Sequence, residues 1–127
     1  VNALAHLDVR HILLIADACF SGSFSTSSTR GFVSSGLDIS ESSSRLVMSS
    51  GAIEPVLDIG KDPNHSVFAG ALIESLQHIQ RPTTSNQIFD MVKPMILTYA
   101  EQTPMLAPIW RLGHVGGNLI FEPTLNH

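Results

Sequence analysis

The chain has 127 residues, 43% of them hydrophobic, which is enough for one ordinary core and too much for a disordered chain. Only 14% of residues are charged, and the net charge of -4 comes from eleven acids and seven bases without a basic block, so neither nucleic acid nor an anionic membrane is expected as a partner. No apolar run is long enough to span a bilayer, and a single cysteine excludes an internal disulfide framework and any cysteine-rich zinc site.

The opening VNALAHLDVRHILLIAD carries no basic n-region followed by an apolar block, so a cytoplasmic protein is expected. It passes from a short helical piece with Leu4 and Leu7 on one face straight into a strand, as the back half of a domain does. Residues 11–16 (HILLIA) are apolar nearly throughout, the pattern of a strand buried on both faces of a parallel sheet. Residues 17–44 are rich in serine and interrupted by Gly22, Gly31 and Gly36, which predicts a long loop. Residues 45–49 (RLVMS) form a second short buried strand.

After another loop, Val67, Phe68, Ala71, Leu72, Leu76 and Ile79 repeat at three and four, which predicts a helix over 65–80 with Asn64 or Ser66 as N-cap. Pro82 stops it, and Thr84 with Gln87 forms a capping box for a second helix over 84–100. Pro94 lies inside that pattern, so a kink or break near Lys93 is expected. The tail contains a last strand at 119–121, placed at an edge because Pro123 follows. A strand, a loop, a strand, two helices and a strand make an α/β pattern whose visible sheet is incomplete.

In α/β sheets ligands gather beyond the carboxyl ends of strands, where Asp17-Ala18-Cys19-Phe20-Ser21-Gly22 stands. Cys19 has two readings. As a small hydrophobe at the margin of a core it needs no further account. As a nucleophile it stands where the apolar run stops, followed by Ser21-Gly22, which lets the backbone turn and present amides to an oxyanion. A nucleophilic thiol needs a base, usually histidine. Of the six histidines, His11 begins the same strand at its far end, His78 suits a helix C-terminus, His65 adjoins an N-cap, and His6, His114 and His127 cannot be paired with Cys19 from spacing.

The segment HILLIADACFSGS resembles the catalytic-cysteine segment of the caspase-like cysteine peptidases, in the metacaspase and bacterial caspase-homologue branch, whose strand ends in Asp-x-Cys-x-Ser-Gly. RLVMSSGAIEPVLD with NHSVFAGALIESL resembles that branch's following strand, specificity loop and helix, and QTPMLAPIWRLGHVGGNLIF resembles its closing segment. The resemblance covers nearly the whole chain in the family's order. It implies a three-layer fold with a mostly parallel sheet flanked by helices, incomplete here, and a cysteine endopeptidase cutting after Arg or Lys.

By the same resemblance Cys19 is the nucleophile, and the catalytic histidine lies upstream of Val1 in the other half of the domain, so this chain alone is expected to be inactive. Asp17 would face the pocket for the basic side chain, the lesser alternative being a cap on the turn after its strand, and Glu54 and Asp58 are candidate second acids that can equally be ordinary loop charges. Ser49, Ser50, Gly51 and Ala52 would pair with an extended peptide as an added strand. Arg30, in the serine-rich loop, would be a site of self-cleavage, and His114 would fix the turn into the last strand.

No cofactor is expected, and calcium activation, which occurs among relatives, is not signalled in this stretch. Phe20, Glu54-Pro55 and Asn118 depart from the branch's usual residues, which bears on activity more than on fold. The competing class is a catalytically silent peptide-binding or scaffolding module of the same fold. A phosphohydrolase or nucleotide-binding domain would need a glycine-rich phosphate cradle after a strand, and none is present.

Overall fold

The computed structural model describes residues 2–19, 41–51 and 63–124, with Asn2 and Cys19 described by their backbone alone. Three strands form the main sheet in the order β1 (His11–Cys19), β2 (Ser44–Gly51), β4 (Met105–Pro108). β1 and β2 run parallel from His11 opposite Ser44 to Cys19 opposite Gly51, whereas β4 returns antiparallel to β2. A second, two-stranded antiparallel ribbon joins β3 (Thr83–Thr84) to β5 (Ile120–Phe121). The helices are α1 (Val67–Gln77) and α2 (Ser85–Tyr99), and single 3₁₀ turns occupy Asn2–His6 and Trp110–Leu112.

The α/β layering expected from the sequence is present, but the expected single, mostly parallel sheet is not. Of the three strand pairings among the described residues only β1 with β2 is parallel, and the last strand leaves the main sheet for the ribbon. β4 falls in a stretch that reads as tail because prolines flank it. It tolerates Pro108 because it is an edge strand, which needs backbone partners on one side only.

Side-chain alternation along β2 divides the core in two. Met48 meets α1 and α2 through Phe68, Leu72, Ile88, Val92 and Ile96 on one face. Val47 meets Ile109, Leu112 and Leu4, in and beside the two 3₁₀ turns, on the other. Among the described residues the helices cover one face and short turns the opposite one, in place of helices on both. All eight residues of β2 are buried. β1, predicted to be buried on both faces, is only half-buried: Leu13 and Leu14 reach the two clusters, yet Ile15 is 48% exposed because β1 is the open edge of the described sheet.

Both predicted helices form with their predicted caps and shorter bounds. Ser66 caps α1 by accepting the Ala69 amide at 2.9 Å. Thr84 and Gln87 exchange bonds at the start of α2, the Thr84 amide to Gln87 Oε1 at 2.9 Å and the Gln87 amide to Thr84 Oγ1 at 3.2 Å. Of the kink or break expected near Lys93, the break is absent: α2 runs through Pro94 to Tyr99. Pro94 and Asp90 both lie on the exposed face, so water can solvate the Asp90 carbonyl that the proline leaves without its amide. The strands extend beyond the predicted 11–16 and 45–49, taking Asp17, Ala18, Cys19 and Ser44 out of the expected loop.

Because Met48 is fully buried against both helices, Met48→Ala should lower unfolding stability by about 2–5 kcal/mol. Ile73→Ala, on the exposed side of α1, should change it by less than about 0.5 kcal/mol. Urea titration of both variants checks the contrast.

Candidate functional site

The parallel β1–β2 pair has two chemically different ends. At the amino end, the buried Arg45 side chain donates through Nη1 to the carbonyls of Arg10 at 2.7 Å and Ser44 at 2.9 Å, and through Nη2 to that of Val9 at 2.8 Å. Its amide donates to Nδ1 of His114 at 3.0 Å, and its carbonyl accepts the Ile109 amide at 2.7 Å. The Val115 and Gly117 amides both reach the Ser43 carbonyl. Gly113 and Gly116 have φ of 89° and 90°, and a side chain on Gly117 would collide with the Ser42 carbonyl, so this turn requires its glycines. His11 Nδ1 lies 2.8 Å from Ser44 Oγ at the same end.

His114 is therefore a structural residue of the closing turn, buried and packed edge-on against Trp110 at 5.0 Å between ring centres. Because Nδ1 accepts a hydrogen bond, the neutral ring carries its proton on Nε2. Burial, and secondarily the Arg45 charge, hold its pKa below the ordinary 6.5. The ring also lines a hollow of about 390 Å³ with Asn86 and Asp90 of α2.

A histidine whose folded pKa is depressed binds fewer protons than the unfolded chain. The stability it contributes is complete above pH 6.5 and is lost as pH falls from there through the folded value. Melting temperature should thus fall below pH 6.5, and the fall should be smaller in His114→Gln, which keeps an acceptor without titrating. His114→Ala should cost about 1–3 kcal/mol at neutral pH by leaving the Arg45 amide buried without a partner. Thermal melts of the three proteins from pH 8 to pH 5 check both expectations.

At the carboxyl end, Cys19 closes β1 opposite Gly51, after a register shift between Ala16 and Cys19 that re-aims the last residues of the strand. Asp17 is exposed, and its Oδ2 accepts a hydrogen bond of 2.5 Å from Ser66 Oγ. The sequence reading missed this contact. Ser66 was legible as an N-cap, but no local spacing relates it to a residue 49 positions away.

The same contact brings the start of α1 to the end of β1. Of the described histidines, His65 is the one next to this junction, at the mouth of a cleft of about 890 Å³ between α1 and α2. His11 and His114 stand at the opposite end of the sheet, and His78 caps the far end of α1 with Nδ1 2.7 Å from the Glu74 carbonyl.

Ser49, Ser50 and Gly51 are buried at the carboxyl end of β2. Ser49 already pairs with Ala16 on one side and Met105 on the other, so its backbone has no free edge for an added strand. The Ser50 carbonyl accepts Gln102 Nε2 at 3.2 Å, and Ser50 Oγ is buried without a hydrogen-bond partner among the described residues. Ser49 Oγ donates to the Gly51 carbonyl at 3.3 Å.

Arg30, Ala52, Glu54 and Asp58, and the side chain of Cys19, lie outside the described residues. Asn118, one of the departures, is buried and accepts from both the amide and the hydroxyl of Ser85, which fixes the start of α2. No cluster of three metal-ligating side chains occurs among the described residues, and no helix among them is long and apolar enough to cross a membrane.

No family model matches the chain, and no match was found among curated proteins or solved structures.

Proposed function

We propose that this chain forms the nucleophile-bearing part of a caspase-like cysteine endopeptidase that acts in the cytoplasm and cuts peptide bonds after Arg or Lys. The observation that carries the reading is the position of Cys19 as the last residue of a strand in a parallel pair, with exposed Asp17 two residues before it. His11 and His114 stand at the opposite end of the sheet and His78 at the far end of α1, so none of the three serves as base at Cys19; by the family resemblance the catalytic histidine lies upstream of this chain.

In this reading the Cys19 thiolate attacks the peptide carbonyl to give a tetrahedral intermediate, whose oxyanion is held by the amide of Cys19 and an upstream amide. The upstream histidine, protonated, gives its proton to the leaving amine as the carbon–nitrogen bond breaks. Water, deprotonated by the same histidine, then releases the acyl group and regenerates the thiol. Asp17 pairs with the basic side chain beside the scissile bond. The peptide backbone is received at Gly51 and Ala52, since Ser49 is already paired on both sides.

In the full-length protein, Cys19→Ala should abolish cleavage of Arg and Lys peptides without lowering the melting temperature. His65→Ala should leave cleavage in place. Asp17→Ala should lose on the order of 100-fold on basic substrates, because a desolvated cation loses its partner, and far less on uncharged ones. Parallel kinetics on matched peptides read all three. Undiminished cleavage by Cys19→Ala ends the assignment. A wild-type protein that binds these peptides without cutting them supports the silent-module reading instead.

Arg30 is the proposed self-cleavage site, since a pocket selective for basic residues would accept it. Mass spectrometry of the active protein over time should find a new amino terminus at Gly31. A chain that stays intact there while peptide is consumed removes processing at Arg30 from the mechanism.

A further inference from the structure

We infer that Ser66 is a positioning residue that fixes the direction of the Asp17 carboxylate, and so sets how well the site holds a cationic side chain. The inference rests on the peptidase reading above and adds a residue to it. Ser66 stands at the N-cap of α1 with φ -62° and ψ 165°, where its Oγ accepts the Ala69 amide at 2.9 Å. A hydroxyl has a single proton. With one lone pair occupied by Ala69, that proton is aimed at Asp17 Oδ2, 2.5 Å away.

The three groups thus form a directed chain from the Ala69 amide through the Ser66 hydroxyl to the Asp17 carboxylate. Asp17 is exposed, so without this bond its carboxylate would exchange among several χ1 and χ2 rotamers. With Oδ2 held, Oδ1 keeps one direction and remains available to a substrate ammonium or guanidinium. The restraint comes from α1, a helix anchored in the core by Val67, Phe68, Ala71 and Leu72, and not from the strand that carries Asp17.

Two substitutions separate positioning from capping. Ser66→Thr keeps both the acceptor and the proton. Ser66→Asp keeps an N-cap acceptor but has no proton to give and repels Asp17. In the full-length protein, the Thr variant should keep kcat/KM on Arg and Lys peptides within about twofold. The Asp variant should lose about tenfold or more, mainly as a rise in KM.

On uncharged peptides neither variant should move kcat/KM by more than about twofold; the Thr variant should melt close to wild type, and the Asp variant should keep its cap and lose only the stability of the contact with Asp17. Equal kinetics for the Thr and Asp variants on basic peptides, or an equal loss by the Asp variant on basic and uncharged peptides, would overturn the role of Ser66. The peptidase reading is judged separately, on wild type: if wild type cuts no basic peptide, that reading fails alone. The positioning bond is then decided by a double-mutant cycle of Ser66→Ala and Asp17→Ala in urea denaturation, where non-additive effects support it and additive effects overturn it.

Discussion

Arg45 is the residue on which the remaining architecture depends. Its guanidinium gathers the carbonyls of Val9, Arg10 and Ser44, its amide holds His114, and its carbonyl holds Ile109. One side chain and one peptide unit thereby join the chain entering β1, the first residue of β2 and the closing turn. A buried cation is tolerated there because three backbone carbonyls, each a partial negative charge, replace most of the water it has lost, leaving Nε without a hydrogen-bond partner among the described residues. A tripod of this kind fixes the stagger of β1 against β2 at its amino end. The register then carries that stagger along the strands to Cys19 opposite Gly51.

The two ends of the parallel pair have accordingly taken different tasks. The amino end is dense with hydrogen bonds and requires glycine at close approaches, and its two histidines are engaged in structure. The carboxyl end keeps an exposed carboxylate, a strand that shifts register before its last residue, and a buried serine hydroxyl without a partner among the described residues. Rigidity at one end and unsatisfied chemistry at the other is the arrangement expected where a scaffold serves a site. α1 ties the carboxyl end to the core: its apolar face packs there, and its capping serine reaches Asp17, two residues before Cys19.

Several elements were legible because their signals are local. The capping box of Thr84 and Gln87, the cap at Ser66 and the apolar stripe of α1 are settled within a turn or two of helix, where backbone amides need partners whatever surrounds them. The first strand was legible as an apolar run only as far as Ala16, and its last three residues, through Cys19, read as loop. The helix does not break at Pro94 because proline's cost depends on where the orphaned carbonyl points, and on the exposed face of α2 water can donate to it. β4 was missed because a four-residue strand that follows one proline and ends in another carries no period of its own, and it forms only when the buried edge of β2 offers it partners.

The sequence by itself determined an α/β chain with two capped helices, a buried β2 and a cysteine just past an apolar strand, because periodicity, capping and burial are written in neighbouring residues. Only the tertiary structure decided the mixed strand directions, the departure of the last strand into its own ribbon, the assignment of His114 to Arg45 and the bond from Ser66 to Asp17. Each of these joins residues dozens of positions apart, His114 to Arg45 across 69 and Ser66 to Asp17 across 49. Hydrogen bonds are short and directional, so such partners are chosen only when packing of the core has already brought their backbones together.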